Sequence, residues 1–239
     1  MSAVPEPELP GPPSPVEPGA TLGVYEIGPR IAIRGDVHLH AGTDPRDAPV
    51  RIAVWRYRGS EPLPRFLDQL RDDAAAWGAL RPVDGRMPAI VPTLDVGRQV
   101  NSVVCYWIQE DPRGPSLADQ LDHTPILAPR YALGLAQQLG AALDELHNPV
   151  GGPHAGHAVG RRRLIHGDLD PANVHLLGHY DVARLAWGGL AVRIESSGMS
   201  AGRGTARGLA EVAPEVLQGG APDARSDVYG LSALLYRML

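Results

Sequence analysis

The hydrophobic pattern of this chain shifts from mostly strand-like to mostly helical at Asp111–Pro115, and that shift constrains the fold more than any other feature. Before it the text is strand-like. Gly23–Ile33 and Val50–Tyr57 carry alternating and β-branched residues, separated by turn-rich Ala41–Pro49, and Ile90–Val96 and Ser102–Gln109 read as two further strands. One helix interrupts them, Pro64–Leu80, with Phe66, Leu70, Ala74 and Trp77 at helical spacing. After it the text is mostly helical. Ser116 is placed to cap a short helix through Leu121, and Pro129–His147 sets Leu135, Leu139, Leu143 and Leu146 on one face. Asn148–Arg163 reads as a surface loop and Ile194–Gly208 as a flexible stretch. Short strands surround His166–Leu177 and Val182–Val192, and Asp227–Leu239 is a strongly apolar helix. At 239 residues, such a chain suits one large domain or two small lobes.

Composition removes several functions. All 22 basic residues are arginine, so chemistry that requires a lysine amine is excluded. The net charge is −5, and Glu6, Glu8 and Glu17 supply three of the negative charges. The nearly neutral body offers no general case for nucleic acid or an anionic membrane as partner. A single cysteine, Cys105, excludes an internal disulfide and a cysteine-based zinc site. The apolar runs are too short to cross a membrane, and Met1–Pro18 has neither a basic nor an apolar signal region, so the expected compartment is the cytoplasm. Residues 1–19, with seven prolines in Met1–Pro18, read as a disordered or polyproline-like acidic tail.

The segment Leu164-Ile165-His166-Gly167-Asp168-Leu169-Asp170-Pro171-Ala172-Asn173-Val174 resembles the H-R-D-x-x-x-x-N catalytic loop of the protein kinase family. Other matches follow in the family's order. Tyr106-Trp107-Ile108-Gln109-Glu110, then Gly114-Pro115-Ser116-Leu117, resembles the hinge, with Gln109 as gatekeeper and Glu110 opening the hinge. Val212-Ala213-Pro214-Glu215-Val216-Leu217 matches the A-P-E segment, and Ser226-Asp227-Val228-Tyr229-Gly230-Leu231 is similar to the start of the large lobe's central helix. The resemblance implies an α+β, two-lobed protein-kinase-like fold, of the bacterial Ser/Thr kind. A small antiparallel β lobe with one helix would span residues 20–109, a hinge 110–115, and a mainly helical large lobe 116–239. It implies that Asp168 orients a substrate hydroxyl, that Asn173 holds a metal ion, and that Asp227 braces the catalytic-loop backbone. In the family more helices follow the central one. The chain stops at Leu239, so the large lobe is expected to be truncated or completed by a partner, leaving Val228, Leu231, Leu234, Leu235 and Leu239 short of cover.

The departures bear on function. Ile52-Ala53-Val54-Trp55 resembles the V-A-I-K strand with tryptophan at the lysine position. The partner glutamate of the small-lobe helix would be Asp73, which needs a cation facing it. Trp187-Gly188-Gly189-Leu190-Ala191 resembles the D-F-G segment with Trp187 at the metal-binding aspartate. Gly28 and Gly35 are what survives of the glycine-rich loop, and Asp170 stands where protein kinases usually keep a lysine facing the phosphate. Phosphoryl transfer depends on positioning and on neutralising developing negative charge, and each unit charge at close range in a partly buried site is worth several kcal/mol. Arg30, Arg34 or Arg56 would have to stand in as phosphate ligand.

The resemblance therefore points to a catalytically impaired pseudokinase acting in signalling by protein binding, for which ATP and Mg²⁺ are the family's cofactors but poorly provided for. Two alternatives stay open: a weak or atypical Ser/Thr kinase using Asp168 and Asn173, or a small-molecule phosphotransferase of the H-G-D type. Trp55 and Trp187 would either plug the nucleotide pocket or fill core space, and Gln109 and Glu110 could meet an adenine through the hinge backbone. Ser196, Ser197, Ser200 and Thr205 are candidates for phosphorylation by another kinase. His38, His40, His154 and His157 read as solvated histidines rather than metal ligands, and Arg161–Arg163 as a solvated loop end.

Overall fold

The computed structural model describes residues 11–78, 89–148, 163–178, 182–202 and 210–239. Its first half is a six-stranded antiparallel sheet: β1 (Thr21–Leu22), β2 (Tyr25–Arg34), β3 (Val37–Thr43), β4 (Pro49–Arg56), β5 (Thr93–Arg98) and β6 (Val104–Glu110), in the order β1-β2-β3-β4-β6-β5. Helix α1 (Leu63–Gly78) lies between β4 and β5 in sequence. The period-2 rule sorts the central strands cleanly. Ala53, Trp55, Cys105 and Trp107 face α1 and the large lobe, whereas Val50, Ile52, Val54, Val104, Tyr106 and Ile108 face outward.

A sheet that is apolar on both faces needs cover on both. The outer cover comes from an unexpected place. Residues 11–18, read as a tail, lie against that face: Val16 is buried, Arg30 donates to the Pro12 carbonyl at 2.7 Å, and Ser14 Oγ meets His40 Nε2 at 2.9 Å. An extended proline-rich chain suits this task, because proline brings no N–H that burial would leave unpaired. His38 and His40, expected to be solvated, are buried beneath it, and burial lowers both imidazole pKa values. His154, His157, Arg161 and Arg162 lie outside the described residues.

The second half holds α2 (Leu117–His123), α3 (Pro129–His147), a 3-10 turn at Pro171–Asn173, the β7–β8 ribbon (Val174–Leu177, Val182–Leu185), α4 (Leu190–Ser196), α5 (Pro214–Leu217) and α6 (Ala224–Met238). Ser116 caps α2 in a reciprocal box with Asp119, as its position predicts. Helix α4 replaces the start of the expected flexible stretch, and 197–202 continue from it against the small lobe. On α6, Leu234 is fully buried while Val228 and Leu239 are exposed. The expected uncovered face is therefore only part of that helix.

Candidate functional site

The segment His166–Asn173 is braced from α6. The Asp227 carboxylate accepts the backbone N–H of His166 at 2.8 Å and of Gly167 at 2.7 Å, and the His147 Nε2–H at 2.9 Å. His166, itself buried, donates from Nε2 to the Ala186 carbonyl and accepts at Nδ1 from the Asp168 N–H. Gly167 takes φ +73°, a backbone conformation that favours glycine. These bonds fix Asp168 and Asn173 side by side. Asn173 Nδ2 donates to both Asp168 Oδ2 and the Asp168 carbonyl at 2.8 Å.

Asn173 Oδ1, the atom that would hold a metal ion, is already taken. Arg34 Nη1 donates to it at 2.6 Å and lies 3.6 Å from Asp168 Oδ2. Arg34 reaches the site from the β2–β3 turn, whose tip is seated on the segment after α4. Asp36 N donates to the Ser200 carbonyl at 2.8 Å, and Ser200 N donates to Asp36 Oδ2 at 2.9 Å. Gly35, at φ +55°, lets the turn come so close that a Cβ there would sit 2.5 Å from the Ser200 oxygen. Gly35 thus serves a contact between lobes rather than an open phosphate cradle. Gly28 does not line the cleft either: it lies at a bulge in β2, where its carbonyl accepts from His40 Nδ1.

The two tryptophans part company. Trp55 is wholly buried between the sheet and α1, edge-on to Phe66 at 6.4 Å, with its Nε1–H unpartnered. It fills core beside Phe66. Trp187, at φ +62°, does line the cleft, and its N–H donates to Gln109 Oε1 at 2.9 Å. Gly188 stands where D-F-G has phenylalanine, and the aromatic group comes from the other side, since the Trp77 ring of α1 packs on Gly188 and Gly189. Asp73 has its cation, but from α4 instead of a strand: Arg193 approaches it with Nη2 at 2.6 Å and Nε at 2.7 Å. Asp73 is accordingly committed to an ion pair, not to a cofactor.

The hinge is similarly occupied. Glu110 N donates to Pro92 O, Asp111 N to Pro49 O and Arg113 N to Asp111 Oδ1, while Pro112 has no N–H. The Pro112 carbonyl accepts from Arg184 Nη1 at 3.3 Å. Arg184 is fully buried under the hinge, 3.6 Å from Glu110 Oε1, and burial lowers its pKa against the pull of that carboxylate. Residues 110–113 therefore keep no backbone donor for a base. The space bounded by Arg34, Val37, Leu39, Asp168, Trp187 and Leu190 has room for about one ordered water molecule. With Arg34 on it, Asn173 Oδ1 does not fit a Mg²⁺ ion as it stands. Asp170, at the lysine position, caps the 3-10 turn through the Ala172 N–H. Arg193, Trp77 and Arg184 are the participants that sequence reasoning missed; only their placement opposite Asp73, Gly188 and Pro112 reveals them. Of the serines, Ser197 is buried with its hydroxyl on the Ile194 carbonyl, Ser196 and Ser200 are exposed, and Thr205 lies outside the described residues.

No family model matches the chain. It is 29% identical over 231 residues to a probable serine/threonine-protein kinase of Streptomyces coelicolor, covering 93% of this chain and 31% of that protein. It is 28% identical to the serine/threonine-protein kinase PknB of Mycolicibacterium smegmatis, covering 90% and 32%. With PknL of Mycobacterium tuberculosis it shares 29% identity, covering 94% and 51%. The chain thus spans a third to a half of the length of these relatives. Among solved structures, the M. tuberculosis PknI kinase domain superposes with a TM-score of 0.65 at 17% identity, over 93% of this chain and 75% of that one. Rad53 1–466, in complex with AMP-PNP, superposes with a TM-score of 0.62 at 16% identity, over 90% and 48%. The chain is a two-lobed protein-kinase-like domain, similar to the bacterial serine/threonine protein kinases.

Proposed function

We propose that this domain is a pseudokinase that acts in signalling by binding protein, with its cleft closed to nucleotide. The observation that carries the reading is the guanidinium of Arg34 on Asn173 Oδ1. It puts a fixed cation in the place of the metal ion, in a cleft where the backbone donors of residues 110–113 are engaged. The missing lysine and the missing D-F-G aspartate point the same way, because phosphoryl transfer without them lacks the positive charge that stabilises its transition state. Asp168 and Asn173 then serve as braces of the catalytic loop rather than as a base and a metal ligand. No described helix is long and apolar enough to cross a membrane. We take the cytoplasm as its place of action and an exposed serine, Ser196 or Ser200, as the site at which another kinase would mark it.

A second reading, a weak ATP-dependent Ser/Thr kinase, is favoured by one feature: the Asp168–Asn173–Asp227 network is intact. Thermal shift and titration calorimetry with ATP, with and without Mg²⁺, separate the two. No response in either condition is expected. A Mg²⁺-dependent response, with transfer of phosphate to protein that Asp168→Ala abolishes, would overturn the pseudokinase reading. Transfer to an aminoglycoside or choline, but not to protein, would instead select a small-molecule phosphotransferase of the H-G-D type.

A further inference from the structure

The strap formed by residues 11–18 crosses a group of basic side chains on the outer face of the sheet. Beneath it, His38 and His40 alternate on β3, opposite Val54 and Ile52 of β4. Arg30 of β2 stands opposite His40, and its Nη1 donates to the Pro12 carbonyl at 2.7 Å. The acid that acts on His38 is Asp36 of the β2–β3 turn, whose carboxylate already accepts from Ser200 N. Packing does not account for two features of these groups. His38 is 6% exposed, yet its Nδ1 has no hydrogen-bond partner. His40 Nδ1 donates to the Gly28 carbonyl at 3.1 Å, which leaves Nε2 to accept the Ser14 hydroxyl at 2.9 Å. The strap is lightly held: Val16 is its one buried side chain, and Ser14 is partly exposed.

We propose that Ser14 is a phosphorylation site and that Arg30, His38 and His40 form the receptor for its phosphate, so that modification locks the strap onto the sheet. Lifted from the sheet, the segment is an extended chain that a second kinase can take. Transfer forms the Ser14 Oγ–P bond and breaks the bond from the γ-phosphorus to the bridging oxygen of a nucleoside triphosphate. The diphosphate leaves, and the hydroxyl proton passes to the base of that kinase. Back on the sheet, the phosphate oxygens act as strong acceptors. His40 Nε2 then donates instead of accepting, by taking up one proton while Nδ1 keeps the Gly28 carbonyl. His38 Nδ1 gains the partner it lacks, and Arg30 supplies a fixed charge. The phosphate raises the ring pKa values that burial lowers in the unmodified chain. The sign of the linkage therefore reverses. Unmodified, the histidine contribution is whole above pH 6.5 and is lost as pH falls; phosphorylated, it is whole below pH 6.5 and is lost as pH rises through the raised values. None of these groups lines the cleft, so the inference stands apart from the pseudokinase reading.

The test compares the whole chain with the same chain carrying phosphoserine, incorporated during translation, at position 14. Limited proteolysis with subtilisin should cut residues 11–18 roughly tenfold more slowly in the phosphorylated chain, as charge-assisted hydrogen bonds made only in the closed form require. In proton NMR the His40 ring should move its midpoint from below 6.5 to above it, and protection of the strap should fall with rising pH instead of falling pH. Ser14→Ala should show neither change. Arg30→Gln, at a partly exposed position that leaves both rings in place, avoids a folding defect and should lose most of the protection gained on phosphorylation. Phosphopeptide mapping of the chain isolated from its own cells should find the modification on Ser14. A phosphorylated chain cut as fast as the unmodified one or faster, or a His40 midpoint still below 6.5, overturns the receptor. Phosphate found on other residues but not on Ser14 overturns the site. Neither result touches the pseudokinase reading, which a response to ATP with Mg²⁺ would overturn.

Discussion

Restoring the family's lysine by Trp55→Lys should break the fold before it revives a site. Trp55 is fully buried against Phe66 of α1, and truncating a buried tryptophan costs about 3–5 kcal/mol. The lysine stem would recover part of that packing. Its ammonium would then lie in the core without a partner, since Asp73 is held by Arg193 at 2.6 Å, and an unpaired buried charge costs several kcal/mol more. The sum, roughly 5 kcal/mol or above, rivals the whole stability of an ordinary domain, about 5–15 kcal/mol. Urea unfolding followed by far-UV circular dichroism reads the loss directly. Trp55→Phe is the control. It keeps an aromatic ring and deletes the unpartnered Nε1–H, so it should stay within about 1.5 kcal/mol of wild type. Adding Trp187→Asp should not rescue Trp55→Lys, because Asp73 remains engaged. A Trp55→Lys protein that unfolds within about 1 kcal/mol of wild type and binds ATP with Mg²⁺ would refute the reasoning.

Other contacts give sharp expectations. Asp227→Ala leaves the N–H groups of His166 and Gly167 without that acceptor, at about 1–3 kcal/mol each, so denaturant unfolding should show a loss of about 2–6 kcal/mol. Val16→Asp puts a charge into the outer cluster of the sheet and should release residues 11–18, seen as faster cleavage of that segment in limited proteolysis with the cleft unaffected. His38 and His40 have pKa values lowered by burial, so below the unfolded value of 6.5 the unfolded chain binds more protons than the folded one. Their contribution to stability is whole above pH 6.5 and is lost as pH falls toward the folded pKa values. The His38→Asn/His40→Asn protein should show a flatter decline of unfolding free energy over that range. His175, lowered to about 4 by burial, acts in the same sense from pH 6.5 down to about 4, so part of the decline should persist in that variant.

The architecture was legible where pattern and chemistry coincide. The period-2 text of β4 and β6, the helical spacing of Phe66, Leu70 and Trp77, and the Ser116 cap all depend on residues close in sequence, and local rules reach that far. The resemblance, not a local rule, brought Asp168, Asn173 and Asp227 together, since Asp227 braces the loop from about 60 residues away. Three things were hidden. Val16 is a single apolar residue among prolines, so its burial has no periodicity to announce it. Arg193 answers Asp73 across 120 residues of sequence, and Trp77 answers Gly188 across 111. In such exchanges a residue lost from one element is compensated from another. The loss can be read at its own position, but the compensation can be read only in space.

Those compensations share a chemistry that bears on why the cleft closes at all. A working phosphotransferase must keep positive charge uncommitted at the phosphates and carboxylates free for metal. Here the acids that could do either have intramolecular arginines: Asp73 with Arg193, Asp168 with Arg34, Glu110 with Arg184. Arginine keeps its charge at any physiological pH and offers a planar fork of donors, so it can hold a carboxylate or an amide oxygen within a nearly dry cleft where a lysine would more readily give up its proton. A chain without lysine thus loses the mobile ammonium that catalysis in this fold employs and retains cations suited to fixed contacts. On the proposed reading, loss of the phosphate-binding lysine and occupation of the Asn173 oxygen by Arg34 are two results of one substitution pattern. On the proposed reading, charge that would have served a substrate instead joins one lobe to the other, through Asp168 with Arg34 and Asp73 with Arg193.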